Sequence, residues 1–271
     1  MKALGVLAAL TWAVCAVAVP FRESRVTQLA KRGQVDFPEP KYFLKQLGEF
    51  EQRDAIRALI QTYLSTFREL GIQTWLMHGS LLGWWWGKKV GHFSDGRGTA
   101  QLNKEQIMPW DLDADVQISE ADMYYLGAYH NMTTFYYKYD AIPEGRFYLL
   151  EINPHFEHRE QDDVLNVIDA RWIDTKTGLF IDITAARYHI NHPRGEGILY
   201  DKNGHEFKDT YLYPLLDTRF EGAPVKIPYG YRAMLESEYG KKALVNTKFH
   251  GHVFDDDKME WVPEQTTDDA S

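Results

Sequence analysis

The 271-residue sequence predicts an α/β (α+β) chain with a single folded domain, a mixed sheet flanked by helices. Three observations predict it. A long amphipathic stretch begins near Phe50, short apolar segments of strand length alternate with helical ones, and no internal repeat is present. The content of 44% hydrophobic and 14% aromatic residues is enough for a sizeable core, which excludes general disorder. A formal net charge of -9 argues against a nucleic-acid partner, which would call for a basic face.

Lys2 precedes an apolar run from Ala3 to Val19, and Ala16-Val17-Ala18 offers a small-residue cleavage site. Residues 1–18 are therefore expected to be a signal peptide or a short signal anchor, which places the rest of the chain in a lumen or outside the cell. Residues 19–40 are polar, carry the dibasic pair Lys31-Arg32, and are expected to be a linker or propeptide. The single cysteine, Cys15, lies in the leader, so a cleaved chain would have no disulfide, no cysteine nucleophile and no cysteine zinc site. Asn131-Met132-Thr133 is a glycosylation sequon, with Asn131 as the acceptor.

The domain is expected over residues 41–254. Ile56, Leu59, Ile60, Tyr63, Leu64, Phe67 and Leu70 follow helical spacing, and Gly71 is the stop. A strand from Ile72 to Met77 runs into His78-Gly79-Ser80, with a short helix from Leu81 before Trp84-Trp85-Trp86. Gly91–Glu105 reads as a loop and Asp111–Ile118 as a strand. Ser119 caps a helix whose inner face is Met123, Leu126 and Tyr129/His130. Strands are expected at Phe147–Ile152, Asn166–Trp172 and Gly178–Thr184, a loop at Asn191–His205, and a last helix over Tyr231–Tyr239. Residues 255–271 read as an acidic flexible tail.

The chemistry sits in Met-Pro-Trp-Asp-Leu-Asp-Ala-Asp-Val-Gln-Ile, residues 108–118. Alternate residues of a strand share a face, so Asp111, Asp113 and Asp115 project together while their neighbours pack into the core. Three clustered anions repel one another, and a hard divalent cation such as Mg²⁺ or Mn²⁺ removes the conflict. The plainer reading is a solvated acidic edge. His78-Gly79-Ser80 at a strand-to-helix turn offers backbone N–H groups to a phosphate, and Asp182 on a later strand supplies another acid. This is the layout of the nucleotidyltransferase fold.

His78-Gly79-Ser80-Leu81-Leu82-Gly83-Trp84 followed by Pro109-Trp110-Asp111-Leu112-Asp113-Ala114-Asp115 resembles the signature of the LicD/fukutin family. Gly178–Ile183, Phe220-Glu221-Gly222, Val225–Pro228 and Glu238-Tyr239-Gly240 are similar to its later segments. Trp75–Gly79, Trp84–Trp86, Leu150–Pro154 and Asp169–Asp174 resemble its fungal mannosylphosphorylation branch. Against the family pattern, Gly91–Glu105 is an insertion. The resemblance implies a metal-dependent phosphotransferase of the Golgi lumen or membrane, or a secreted one. It would move mannose-1-phosphate from GDP-mannose to a mannan, N-linked or cell-wall glycan. The implied partners are a nucleotide-sugar donor, a glycan acceptor, the membrane through the N-terminal segment, and a glycosyltransferase complex. The alternatives are a non-catalytic regulator of mannosylphosphorylation and a phosphocholine or polyol-phosphate transferase with a CDP-linked donor.

On this reading Asp113, Asp115 and Asp182 are the catalytic acids, and Asp111, Asp113 and Asp115 hold Mn²⁺ or Mg²⁺. Asp182 serves as a ligand or as the base for the acceptor hydroxyl; its plainer reading is a buried acid paired with an arginine such as Arg171. Gly79, Ser80, Lys88 and Lys89 contact the donor phosphates, although exposed lysines are commonly only solvated. Trp84 and Trp110 stack on sugar or base, with core packing as the competing role for the tryptophan run. His78 reads as a structural histidine, and the ten histidines show no zinc-like spacing.

Overall fold

The structure, a computed structural model, describes residues 49–88, 107–111, 113–161 and 166–264. The expected leader and linker, Lys89 and the Gly91–Glu105 insertion lie outside the described residues. No helix among the described residues is long and apolar enough to cross a membrane.

Helix α1, Glu49–Glu69, forms where the periodicity predicts it. Ile56, Leu59, Ile60, Tyr63, Leu64 and Phe67 are all buried on one face. Its end is a Schellman turn. Gly71 adopts φ 74, its N–H reaches Arg68 O at 3.1 Å, and Ile72 N–H reaches Phe67 O at 2.9 Å. The chain continues through β1 (Thr74–Leu76), α2 (His78–Gly87), β2 (Ala114–Ser119), α3 (Glu120–Tyr129), β3 (Thr133–Tyr139) and β4 (Ile142–Ile152). Then come β5 (Ala170–Asp174), β6 (Phe180–Tyr188), β7 (Ile198–Tyr200), β8 (Glu206–Lys208), α4 (Asp209–Leu212), β9 (Leu216–Phe220), β10 (Ala223–Ile227) and α5 (Tyr231–Tyr239). A 3-10 turn over Lys241–Leu244 leads to β11 (Lys248–Phe249), β12 (His252–Asp255) and β13 (Glu260–Pro263).

The main sheet runs β3-β4-β5-β6-β2-β1-β10-β9, with β7 and β8 attached to β6. β2 is parallel to β6 and β1 to β10, while the other pairs are antiparallel, so the sheet is mixed as expected. Val116, Ile118, Ile183, Ala170 and Trp172 join α1 in the larger core. Trp75, Met77, Ala186, Leu199, Phe207, Leu212 and Met234 form a separate cluster. Because side chains alternate along a strand, the even residues of β2 serve the first core, and the odd ones, Asp115 and Gln117, face the other way.

Several expected boundaries move. β2 starts at Ala114 rather than Asp111, because Met108–Asp111 forms a turn closed by Asp111 N–H to Met108 O at 3.0 Å. α2 starts at His78 rather than Leu81. Tyr129 faces solvent, since the short α3 buries only Met123 and Leu126. β3 escaped the periodicity because it pairs along the edge of the sheet with β4, which itself begins at Ile142. The strands expected from Asn166 and Gly178 begin at Ala170 and Phe180, and β7 lies inside the expected Asn191–His205 loop. The segment expected as a tail from residue 255 instead completes the β12–β13 hairpin. Its Trp261 packs at 4.8 Å from Trp86 and is buried in the main core.

Glu221, at the β9–β10 turn, fixes the segment that enters the acid cluster. Its carboxylate accepts from Ile107 N–H at 2.9 Å and from Arg57 Nε of α1 at 3.2 Å, and Gln61 donates to its carbonyl at 2.8 Å. Glu221→Ala should lower stability by about 1–3 kcal/mol by stranding the Ile107 N–H and the Arg57 Nε, while the Gln61 bond to the backbone carbonyl stays. Urea unfolding checks it, and the expected result is a lower midpoint at an unchanged slope.

Candidate active site

The site is assembled where β1 hands over to α2. Met77 is extended at φ -137 and donates its N–H to Asp115 O at 3.3 Å. His78 then takes φ 51, a left-handed conformation unusual for a bulky residue, and the helix begins. Ser80 Oγ accepts from Asp115 N–H at 2.9 Å, so the first peptides of β2 hang on the first turn of α2. Gly79 leaves bare backbone beside the acids. A Cβ there would lie 3.3 Å from Asp111 Oδ2 and 3.5 Å from Asp115 Oδ2.

Asp111 and Asp115 therefore converge, although only Asp115 lies on the strand. Asp113 sits in the bend between them. Asp182 stands in register with Asp115 on the parallel neighbour β6, and Arg171 is in register with Asp182 on β5. In-register residues point to the same face, which gives a row of Asp115, Asp182 and Arg171 across three strands. Arg171 Nε donates to Asp182 Oδ1 at 3.0 Å, with both side chains buried. The arginine partner considered as the plainer reading of Asp182 is present, and it sits beside the acids.

Burial, and then the charges of Asp113 and Asp115, hold the Asp111 carboxyl well above the usual carboxylate range. The same field reaches Tyr239, whose hydroxyl is raised by burial, Glu238, Asp115 and Asp111. The repulsion between these acids is what a divalent cation would relieve, and carboxylate oxygens are the donors that Mg²⁺ and Mn²⁺ take. The donor set thus fits a hard cation.

A second charged cluster adjoins the first through His78. Its Nδ1 lies 2.9 Å from Glu238 Oε1, at the end of α5. Its Nε2 lies 3.5 Å from Asp201 Oδ2, in the β7–β8 turn. His205 points Nδ1 at Asp201 Oδ2, 3.0 Å away, and Nε2 at Glu238 Oε1, 3.6 Å away. Burial works against charge on His78, but Glu238 and Asp201 outweigh it and push the ring up to about 10. Burial likewise opposes charge on Asp201, yet His205 and His78 hold it well below the carboxylate range.

The remaining expected residues fall elsewhere. Lys88 caps the far end of α2, nine residues and roughly 13 Å of helix rise from Gly79. Its Nζ sits over Trp84, Trp85 and Tyr231 at 4.6, 4.0 and 4.0 Å. Trp84 is buried and donates Nε1 to Thr218 Oγ1 at 3.0 Å. Trp110 is half-buried and ringed by Phe249, His250, His252 and Trp261. Asn131 is exposed, and its Oδ1 accepts from Ile152 N–H at 3.0 Å. Asp169 is held by Arg187 at 2.8 Å and Lys202 at 2.9 Å in a buried cluster, and Asp174 by the half-buried Arg146 at 2.8 Å. Sequence spacing missed His205, Asp201 and Glu238, because they join His78 only through folding. The one available signal was the resemblance at Glu238-Tyr239-Gly240.

Residues 100–230 match the LicD/FKTN/FKRP nucleotidyltransferase domain. Two Saccharomyces cerevisiae proteins are similar over about half of this chain. Mannosyltransferase regulator 4 is 29% identical over 134 residues, 49% of this chain and 10% of its own length. Mannosyltransferase regulator 14 is 31% identical over 136 residues, 50% of this chain and 12% of its own length. The matched stretch is thus a small part of each relative.

Removing one partner of a buried ion pair leaves an uncompensated charge. Arg171→Leu should cost about 3–5 kcal/mol, and adding Asp182→Leu should restore most of it. Thermal melts of the single and double variants test the pair.

Proposed function

We propose that this chain, which carries a LicD-type nucleotidyltransferase domain, is a metal-dependent glycan phosphotransferase of the secretory pathway. It moves mannose-1-phosphate from GDP-mannose to a mannan, N-linked or cell-wall glycan. The observation that carries this reading is the meeting of the Asp111 and Asp115 carboxylates at the bare Gly79 backbone, with Asp182 in register beside Asp115. The names of the yeast relatives, both mannosyltransferase regulators, support the link to mannosyl transfer.

Asp111, Asp113 and Asp115 would hold Mn²⁺ or Mg²⁺, which when bound draws charge from the phosphates and the leaving group. Gly79, without a side chain, lets a phosphate approach the start of α2, whose first N–H groups lack intrahelical partners. An acceptor hydroxyl oxygen bonds to the mannose-bearing phosphorus, the bond from that phosphorus to the bridging oxygen breaks, and GMP leaves. Asp182, fixed by Arg171, takes the hydroxyl proton.

A second reading, a non-catalytic regulator of mannosylphosphorylation, is favoured by the relatives' names and by the placement of Lys88 away from the Gly79 turn. A third keeps the site and takes a CDP-linked choline or polyol donor.

Calorimetric titration of the full chain with GDP-mannose and with CDP-choline, each with Mn²⁺ and with EDTA, separates the three. Mn²⁺-dependent binding of GDP-mannose that disappears in Asp113→Ala is the expected result. CDP-choline binding would change the donor, and binding of neither donor would move the protein to the regulator class. Gly79→Ala should leave the melting temperature unchanged or slightly raised, since alanine favours a helix by about 1 kcal/mol over glycine. Mn²⁺ affinity in the same variant should fall by about tenfold, because its Cβ presses on the Asp111 carboxylate.

A further inference from the structure

We infer that His78, His205 and Glu238 form a second cation site, for a borderline metal of the Zn²⁺ class, which clamps the start of α2 to α5 and to the β7–β8 turn. The inference does not depend on the acid cluster or on the proposed reaction.

One ligand atom from each of the three residues lies within 4.8 Å of the others. His78 Nδ1 and His205 Nε2 face Glu238 Oε1 at 2.9 and 3.6 Å, separations close to those between ligands of a small tetrahedral ion. The opposite ring nitrogens, His78 Nε2 and His205 Nδ1, both turn to Asp201 Oδ2, at 3.5 and 3.0 Å. A single carboxylate thus orients two imidazoles by their outward nitrogens, the arrangement that fixes metal-ligating histidines. Asp201 is itself immobilised, accepting from the N–H groups of Asn203 and His205 at 2.9 and 3.2 Å.

Two further features suit a ligand set. The histidine rings lie face to face at a tilt, 4.4 Å between centroids, with Nδ1 of His78 and Nε2 of His205 both turned to Glu238. One divalent cation there would balance the charges of Glu238 and Asp201. In addition, His78 is 3% exposed, so its ring is held within the cluster. The strained φ of 51 at His78 is the backbone conformation that aims the ring into this cluster. His205 and Glu238 are partly exposed, so water can complete the coordination.

Two imidazoles and one carboxylate prefer a borderline ion to Mg²⁺, so the site would differ in selectivity from the oxygen-only cluster beside it. The full chain, stripped with chelator and reloaded with Zn²⁺ or Co²⁺ alone, tests this. Expected are one tightly held equivalent and cysteine-free four-coordinate Co²⁺ absorption. His205→Ala and Glu238→Gln should each weaken binding by roughly 100-fold, and Asp201→Asn by about 10–100-fold. Asp113→Ala should leave it unchanged. Circular dichroism confirms that each variant is folded, and Glu238→Gln, nearly the same shape, carries the test if His205→Ala is not. Absence of stoichiometric Zn²⁺ or Co²⁺ would overturn the inference. So would equal binding by folded His205→Ala or Glu238→Gln, or loss of binding in Asp113→Ala alone.

Discussion

Repulsion among the carboxylates gathered at the start of α2 is the constraint around which the rest of the chain is arranged. Left alone, Asp111, Asp113 and Asp115 would spread apart, and burial of Asp111 makes their proximity costlier still. The fold fixes their backbone. Asp115 is gripped through its own amide and carbonyl by Ser80 and Met77. Asp111 is closed into a turn on Met108, and the approach to that turn is tied through Ile107 to Glu221 and thence to α1.

The other acids buried along the sheet are each matched by a cation. Asp182 is neutralised by Arg171, Asp169 by Arg187 and Lys202, and Asp174 by Arg146. A buried charge is tolerated when it is paired and hydrogen-bonded, and expensive otherwise. Gln117, beneath the acids, donates to Thr184 and approaches Asp201, which links the acid row to the histidine cluster. The site is thus two adjoining sets of charges on one rigid support. One is made of oxygen donors at the head of β2, the other of imidazole and carboxylate at the end of α5.

The tryptophan run shows how tertiary context decides among roles that composition leaves open. Trp84, Trp85 and Trp86 donate their indole N–H groups to Thr218, Leu244 and Ala243, which nails α2 to β9 and to the C-terminal 3-10 turn. Lys88 follows them and lies over the aromatic faces of Trp84, Trp85 and Tyr231. Its ammonium is drawn below its ordinary range, chiefly by partial burial. The β12–β13 hairpin, acidic and polar in sequence, is ordered because Phe254 and Trp261 complete the packing around Trp86.

The sequence by itself determined the elements whose signal is local. Helix α1 follows from apolar spacing and from a glycine able to take φ 74, and the α3 start from Ser119 accepting the Asp122 N–H. The acid triplet and the Gly79-Ser80 turn stood out by residue type and spacing, although a solvated edge remained an open reading and only Asp115 of the three lies on β2. Strand β3, the final hairpin and the displaced starts of β2 and β5 were not: β3 buries no residue fully, the hairpin buries only Phe254 and Trp261, and β2 is shortened by the Met108–Asp111 turn. The histidine cluster was invisible for a different reason. His78, Asp201, His205 and Glu238 come from separate parts of the chain, and only the pairing of β6 with β7 and the docking of α5 bring them within hydrogen-bonding distance. Local periodicity fixes which residues can form an element; long-range closure of the sheet decides which charges must then share one space.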